Sequence, residues 1–171
     1  AAALLREEMP DLQLVLVGDG ATRAALARRA AALGIEGQVA FEGWQPFARF
    51  PSYIRASAVC AIPHLKSAHT DTTIPHKLFH YMLLERPVVA ADCAPIARIV
   101  AATGAGLIHR SGDAPGLAGA LRALRDEGAR RRRGAAGRAA VLGRYRWDLT
   151  ASRLLALYDG LAATRPRSPR G

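Results

Sequence analysis

The chain has 171 residues, half of them hydrophobic, with a formal net charge of +10 and two cysteines. That length is enough for one domain with its own core. Two cysteines favour a reduced, cytoplasmic setting over a disulfide framework. No stretch has the run of about eighteen apolar residues that a membrane span needs, and residues 1–8 are too short and polar for a signal peptide.

Residues 1–9 read as the end of a helix whose beginning is missing, and Met9-Pro10-Asp11 as a turn. Residues 12–17 (L-Q-L-V-L-V) form a strand that closes on Gly18-Asp19-Gly20. An Ala-rich helix over 21–33 ends at Gly34, and 38–41 is a second strand leading into Glu42-Gly43-Trp44-Gln45-Pro46. A short helix over 50–56 and a strand over 58–63 follow. Then comes a polar loop from His64 to Thr73. Thr72 and Thr73 are placed to accept hydrogen bonds from the free N–H groups of a helix start, and Pro75 suits the first turn. Leu78, Phe79, Met82 and Leu83 give that helix one apolar face. Arg86-Pro87 ends it, because proline restricts the residue before it. Residues 87–91 are a wholly apolar run, the mark of a strand covered on both faces. A helix over 94–102, an edge strand over 107–109, an Asp113-capped helix to 124 and two further helices near 128–143 and 149–162 complete the pattern. Residues 164–171, rich in Pro, Arg and Ser, read as a disordered basic tail.

Short strands alternating with helices imply an α/β domain over 1–163. Its expected form is a Rossmann-like parallel sheet with helices on both faces and additional C-terminal helices. In such sheets ligands bind beyond the carboxyl ends of the strands, which selects the loops at 18–22, 42–46, 64–73 and 92–95. The polar loop before Lys77 is the prime candidate, because bare N–H groups at a helix start attract phosphate.

Each motif carries more than one reading. Gly18-Asp19-Gly20 lacks the third glycine of a dinucleotide fingerprint, since Arg23 stands there, and has no Walker lysine. It is either a turn that leaves room for a ligand or a structural turn. Lys77 either reaches an anion at the helix start or is a solvated lysine. Trp44 either flanks a base or sugar or packs half-buried. His64, His69, His76 and His80 suggest a metal, but the spacing fits no zinc pattern, so histidines lining a polar pocket are favoured and no metal is expected. From Arg122 onward thirteen arginines face Asp126, Glu127, Asp148 and Asp159, most densely at 130–133. A solvated helix face is favoured there. An anionic membrane surface is the second reading, and nucleic acid is disfavoured because no motif accompanies the charge.

The ordered segments V-L-V-G-D-G, V-A-F-E-G-W, A-V-C-A-I-P, I-P-H-K-L-F-H-Y-M-L-L-E-R-P-V-V-A-A-D and G-A-G-L-I resemble the C-terminal half of family 4 glycosyltransferases. The resemblance runs from about residue 10 to 158 and is most specific over 75–92. It implies one half of a two-domain, retaining GT-B enzyme. The nucleotide-sugar donor would bind this half, the acceptor would bind an N-terminal half of the same protein, and no metal or other cofactor would be needed. The base contact would fall to Gly43, Trp44 and Gln45, with Gly18 and Gly20 nearby. The diphosphate grip would fall to Thr73, His76 and Lys77.

The family's two carboxylates eight residues apart are missing. Thr72, beside Asp71, and His80 stand at those positions. Asp71 or Thr72 would then meet the sugar and His80 the ribose. The basic pair that neutralises the leaving diphosphate would lie upstream of residue 1, so the isolated chain is expected to be inactive. The expected setting is cytoplasmic, with peripheral membrane attachment as an addition. A non-catalytic nucleotide-sugar-binding subunit and a GT-B epimerase remain as alternatives.

Overall fold

A computed structural model describes residues 1–164; of the expected tail, residues 165–171 lie outside the described residues. A short helix α1 (Ala2–Leu5) precedes strand β1 (Leu14–Val17) and helix α2 (Arg23–Ala32). Next come β2 (Val39–Gly43), α3 (Phe50–Ala56), β3 (Cys60–Ile62), α4 (Lys77–Leu83), β4 (Val88–Ala91) and α5 (Ala94–Thr103). The chain continues through β5 (Gly106–His109), α6 (Ala114–Ala123), α7 (Glu127–Arg144) and α8 (Trp147–Thr164). Every strand and helix read from the sequence is present, with ends moved by a few residues.

All strand pairing in the ladders is parallel, as expected, but the strands form two sheets rather than one. β1 pairs with β2, and β3, β4 and β5 form a second sheet with β4 in the centre. Hydrophobic periodicity identifies strands but does not say which edges join. The two sheets differ in burial. Val88, Val89, Ala90 and Ala91 are fully buried, as a strand covered on both faces must be. In β1, Leu14 is 37% exposed and Val15 43%, because the neighbouring α2 is rich in alanine and arginine and buries only Ala30.

The core therefore sits around the second sheet. Ile62, Leu78, Met82, Val88, Ala90, Ile96, Ile99, Val100 and Val141 form one contiguous cluster. α4 is too short to be stable alone. Full burial of Leu78 and Met82, worth roughly 1.5–3 kcal/mol each, holds it in place. α7 lies against it and makes the approach through glycines. A methyl group at Gly134 would stand 2.1 Å from the Glu85 carbonyl oxygen, and one at Gly137 would stand 3.3 Å from Met82.

Two local expectations about α4 are corrected. The helix does not run to Arg86-Pro87. It ends at Leu83, because Glu85 adopts φ 58° and closes a Schellman turn. The Arg86 N–H donates to the Tyr81 carbonyl (3.0 Å) and the Glu85 N–H to that of Met82 (3.1 Å). Nor do Thr72 and Thr73 cap the start, which His76 occupies without a side-chain bond. The Thr72 hydroxyl turns back to donate to the carbonyls of Ala68 (2.9 Å) and His69 (3.1 Å). That of Thr73 lies 3.5 Å from Nδ1 of His69.

Asp113 caps α6 as read, accepting from the Gly116 N–H at 2.9 Å. Among the described residues no helix is long and apolar enough to cross a membrane.

Candidate functional site

The expected site residues fall at the carboxyl ends of the strands, in two groups. The first is built on β1 and β2. Gly18 takes φ 133°, open to glycine alone, and its N–H donates to the Gly43 carbonyl at 2.7 Å. The two glycine turns read separately in the sequence are thus one junction. Asp19 secures it, accepting from the Gly20 N–H (2.8 Å) and pairing with Arg23 (3.1 Å). Gln45 folds back to donate to the Glu42 carbonyl at 2.8 Å. Trp44, 74% exposed, stands free in solvent, so the half-buried packing reading does not hold.

The second group surrounds the loop from His64 to Pro75. A cavity of about 320 Å3 is lined by His64, Leu65, His69, Thr70, Thr73 and Pro75. It opens just past the carboxyl end of β3, where an α/β sheet places its ligands. The loop that shapes it is tightly organised. Ser67 and Thr70 exchange hydrogen bonds, and the Thr70 hydroxyl donates to the Leu65 carbonyl at 2.9 Å. Ser111 ties the loop to the end of β5 by accepting from the Lys66 N–H (2.8 Å) and donating to the His64 carbonyl (3.3 Å).

Asp71 points away from this cavity. Its carboxylate accepts from the Ala94 N–H at the start of α5 (3.0 Å) and lies 3.8 Å from the Lys66 ammonium. Asp92 accepts from the Ser111 N–H at 2.8 Å. The nearby acids are therefore committed to backbone donors.

The cavity's charge is positive by comparison. Burial lowers the pKa of His64 below the ordinary imidazole value, and the nearby Lys77 and His69 lower it further. A cation near enough to disfavour a proton on His64 is also near enough to favour an anion in the cavity. Among the described residues, the N–H groups of Ile74, His76 and Lys77 donate to no protein acceptor.

His80 does not stand free. Its ring meets the edge of Phe47 at 6.0 Å between centroids, and Phe47 in turn meets Phe50 at 5.8 Å. This aromatic contact joins the two groups of site residues. Phe47, 70% exposed, was not singled out in the sequence; an aromatic between Trp44 and the short helix is the signal that could have found it. His64 and His69 line the cavity, as the favoured reading of the histidines had it, whereas His80 does not. Among the described residues no three His, Cys, Asp or Glu side chains gather where they could hold a metal ion. A wider depression of about 470 Å3, lined by Arg6, Pro10 and residues 34–38, lies before β1 and β2. That is the amino end of those strands, away from the site.

These features define an α/β domain with parallel sheets and an electropositive cleft at the strand carboxyl ends, the architecture of one Rossmann-like half of a GT-B protein. Residues 1–127 match the family described as glycosyl transferases group 1, and the chain belongs to that family. It is 32% identical over 178 residues to the D-inositol 3-phosphate glycosyltransferase of Thermomonospora curvata, covering 96% of this chain and 39% of that protein. Among solved structures it is similar to sucrose-phosphate synthase from Thermosynechococcus elongatus. The TM-score is 0.78 and the identity 26%, over 90% of this chain and 39% of that one. It also shares its fold with Anabaena Alr3699/HepE, determined in complex with UDP, at a TM-score of 0.78 and 20% identity over 88% of this chain and 42% of that one. The chain thus spans about two fifths of the length of these proteins.

Proposed function

We propose that this chain is the C-terminal, donor-binding half of a retaining family 4 glycosyltransferase, which moves a sugar from a nucleotide-diphosphate sugar to an acceptor hydroxyl. The cleft carries the proposal. It combines unpaired N–H groups before α4, Lys77 beside them, and carboxylates turned elsewhere. Such a cleft suits a diphosphate and repels little of its charge. The UDP held by the HepE structure makes a nucleoside diphosphate the natural choice of ligand.

In the reaction the bond from the anomeric carbon to the diphosphate oxygen breaks, and the diphosphate leaves with the electron pair. The acceptor oxygen attacks from the same face and passes its proton to the departing diphosphate oxygen, so the configuration is kept. This half contributes stabilisation of the charge that grows on the leaving group. Thr73, His76 and Lys77 hold the diphosphate. The Gly18–Gly43 junction, Trp44 and Gln45 meet the base, and His80, braced on Phe47, meets the ribose. Thr72, bonded within the loop, or Asp71, held on the Ala94 N–H, meets the sugar. No metal takes part. The N-terminal half that binds the acceptor belongs to the same protein, and the chain alone does not turn over substrate.

Calorimetric titration with UDP-, GDP- and ADP-sugars tests this. One of them should bind, and Lys77→Ala should weaken it by about tenfold, the value of one charge-assisted contact. If no donor binds, or if Lys77→Ala leaves the affinity unchanged, the proposed site is wrong. A non-catalytic donor-binding subunit is the second reading, favoured by the two missing carboxylates. Full-length protein that binds a donor but transfers no sugar to any acceptor would establish it.

A further inference from the structure

We propose that His64 is an anion ligand that takes up a proton when the donor's diphosphate enters the cleft, so that the charge opposing the leaving group is completed only on binding. This rests on the donor-binding reading and adds to it a residue and a proton that the family resemblance does not supply.

The geometry comes first. His64 follows Pro63 at the carboxyl end of β3 and lines the cavity together with His69, Thr70 and Thr73. Its backbone is pinned by the Ser111 hydroxyl, 3.3 Å from its carbonyl. Its imidazole, half-buried, hydrogen-bonds no other protein group among the described residues. A ring fixed at its base, facing a cavity and lacking an internal partner is available to a ligand.

The charges around it set its state. Lys77 comes from α4, and His69, Lys66 and Asp71 from the loop itself. Asp92 lies at the end of β4, and Asp113 at the start of α6. Asp71 pairs with Lys66 and the Ala94 N–H, Asp92 accepts from Ser111, and Asp113 accepts from Gly116. The three carboxylates are thus tied to other donors, while burial first, and then the nearby Lys77 and His69, bias His64 toward its neutral form. A diphosphate brings two negative charges into the same cavity. Opposite charge within a few ångströms favours the protonated form, so a ring biased toward neutrality when the cavity is empty is driven toward the imidazolium when it is filled. By linkage, the affinity then falls by up to about tenfold for each pH unit gained between the free and bound pKa values.

The test is calorimetry of the chain with UDP-, GDP- and ADP-glucose from pH 5.5 to 8, in buffers of different ionisation enthalpy. The diphosphate of these donors is esterified at both ends and does not titrate in that range, so any proton taken up belongs to the protein. Sulfate, also fully ionised, serves as a second probe. The expected result is uptake of a substantial fraction of a proton near pH 7, with affinity falling several-fold between pH 6 and 8. His64→Gln, which keeps the bulk and a hydrogen-bond donor, should abolish the uptake and flatten the slope. Its urea midpoint at pH 8 should match the parent's, which confirms a folded cleft.

The outcomes separate the two claims. Donor binding without proton uptake, uptake that survives His64→Gln, or uptake lost only in His69→Gln overturns the assignment to His64 and leaves the donor reading standing. Proton-coupled sulfate binding with no donor binding keeps the anion role of His64 and overturns the donor reading. If neither probe binds, both claims fall.

Discussion

Replacing Gly134 by alanine examines how α4, and with it the cleft, is held. The new methyl carbon would stand 2.1 Å from the Glu85 carbonyl oxygen and 2.8 Å from its carbon. Both are backbone atoms and cannot rotate aside. To reach ordinary contact, α7 and the end of α4 must separate by about 1 Å, which loosens the dispersion contacts along their interface. Overpacking of this kind costs about 1–3 kcal/mol, and a backbone obstacle places it in the upper part of that range. Alanine regains about 1 kcal/mol of helix propensity over glycine. The net expectation is a loss of about 1–2 kcal/mol.

Gly143, on the same helix, has no atom within 4 Å of a built methyl, so Gly143→Ala should be neutral or gain up to about 1 kcal/mol. Urea unfolding followed by circular dichroism reads both variants as midpoints at equal slope. A Gly134→Ala midpoint equal to or above that of Gly143→Ala would refute the packing account. Because α4 carries Lys77, Gly134→Ala should also weaken donor binding, while Gly143→Ala should not.

Three further outcomes follow from local structure. Glu85 holds a left-handed φ of 58°, which costs a residue other than glycine about 1–2 kcal/mol. Its exposed pair with Arg138 (3.1 Å) returns little. Glu85→Gly should therefore be about 0.5–1 kcal/mol more stable than Glu85→Ala, after allowing for the greater freedom of unfolded glycine, and the reverse order in urea melts would contradict the Schellman geometry. Burial pushes the Cys60 thiol up to about 12, and Cys93 is fully buried. Neither should react with iodoacetamide at pH 8 until the chain unfolds, and rapid native labelling of Cys60 would count against the core described. His64, whose folded-state pKa lies below its unfolded value of 6.5, binds protons more readily when unfolded. The unliganded chain should thus lose stability as pH falls below 6.5, and His64→Gln should lose less over the same window, as thermal melts from pH 5 to 8 would show.

Much of this was legible in the chain because it depends on local pattern. Residues 87–91 read as a doubly covered strand and are one, since a run without a polar residue has no face to give to water. The Asp113 cap and the apolar face of Leu78, Phe79 and Met82 were equally plain, because spacing along a helix decides which side chains share a side, although Leu83, read on the same face, lies 40% exposed at the helix end. Residues 75–92 also pointed to a glycosyltransferase, the broad family to which the chain belongs, and the alternation of strand and helix placed the candidate loops at the strand carboxyl ends.

What spacing cannot express is which distant groups meet. The sequence suggested one sheet, yet β1 and β2 pair apart from β3, β4 and β5, because pairing is a choice among edges. It made Thr72 and Thr73 caps of α4, yet the Thr72 hydroxyl found nearer carbonyls at Ala68 and His69. It offered Asp71 or Thr72 to the sugar, but could not say that the Asp71 carboxylate would also take the Ala94 N–H, which only tertiary folding brings within reach. It read the four histidines together as lining a polar pocket, whereas folding put His64 and His69 in one cavity, near Lys77, and set His80 against the edge of Phe47. Charge fixed the chain's overall sign from composition alone; where that charge stands unopposed depends on which carboxylates the fold has already engaged.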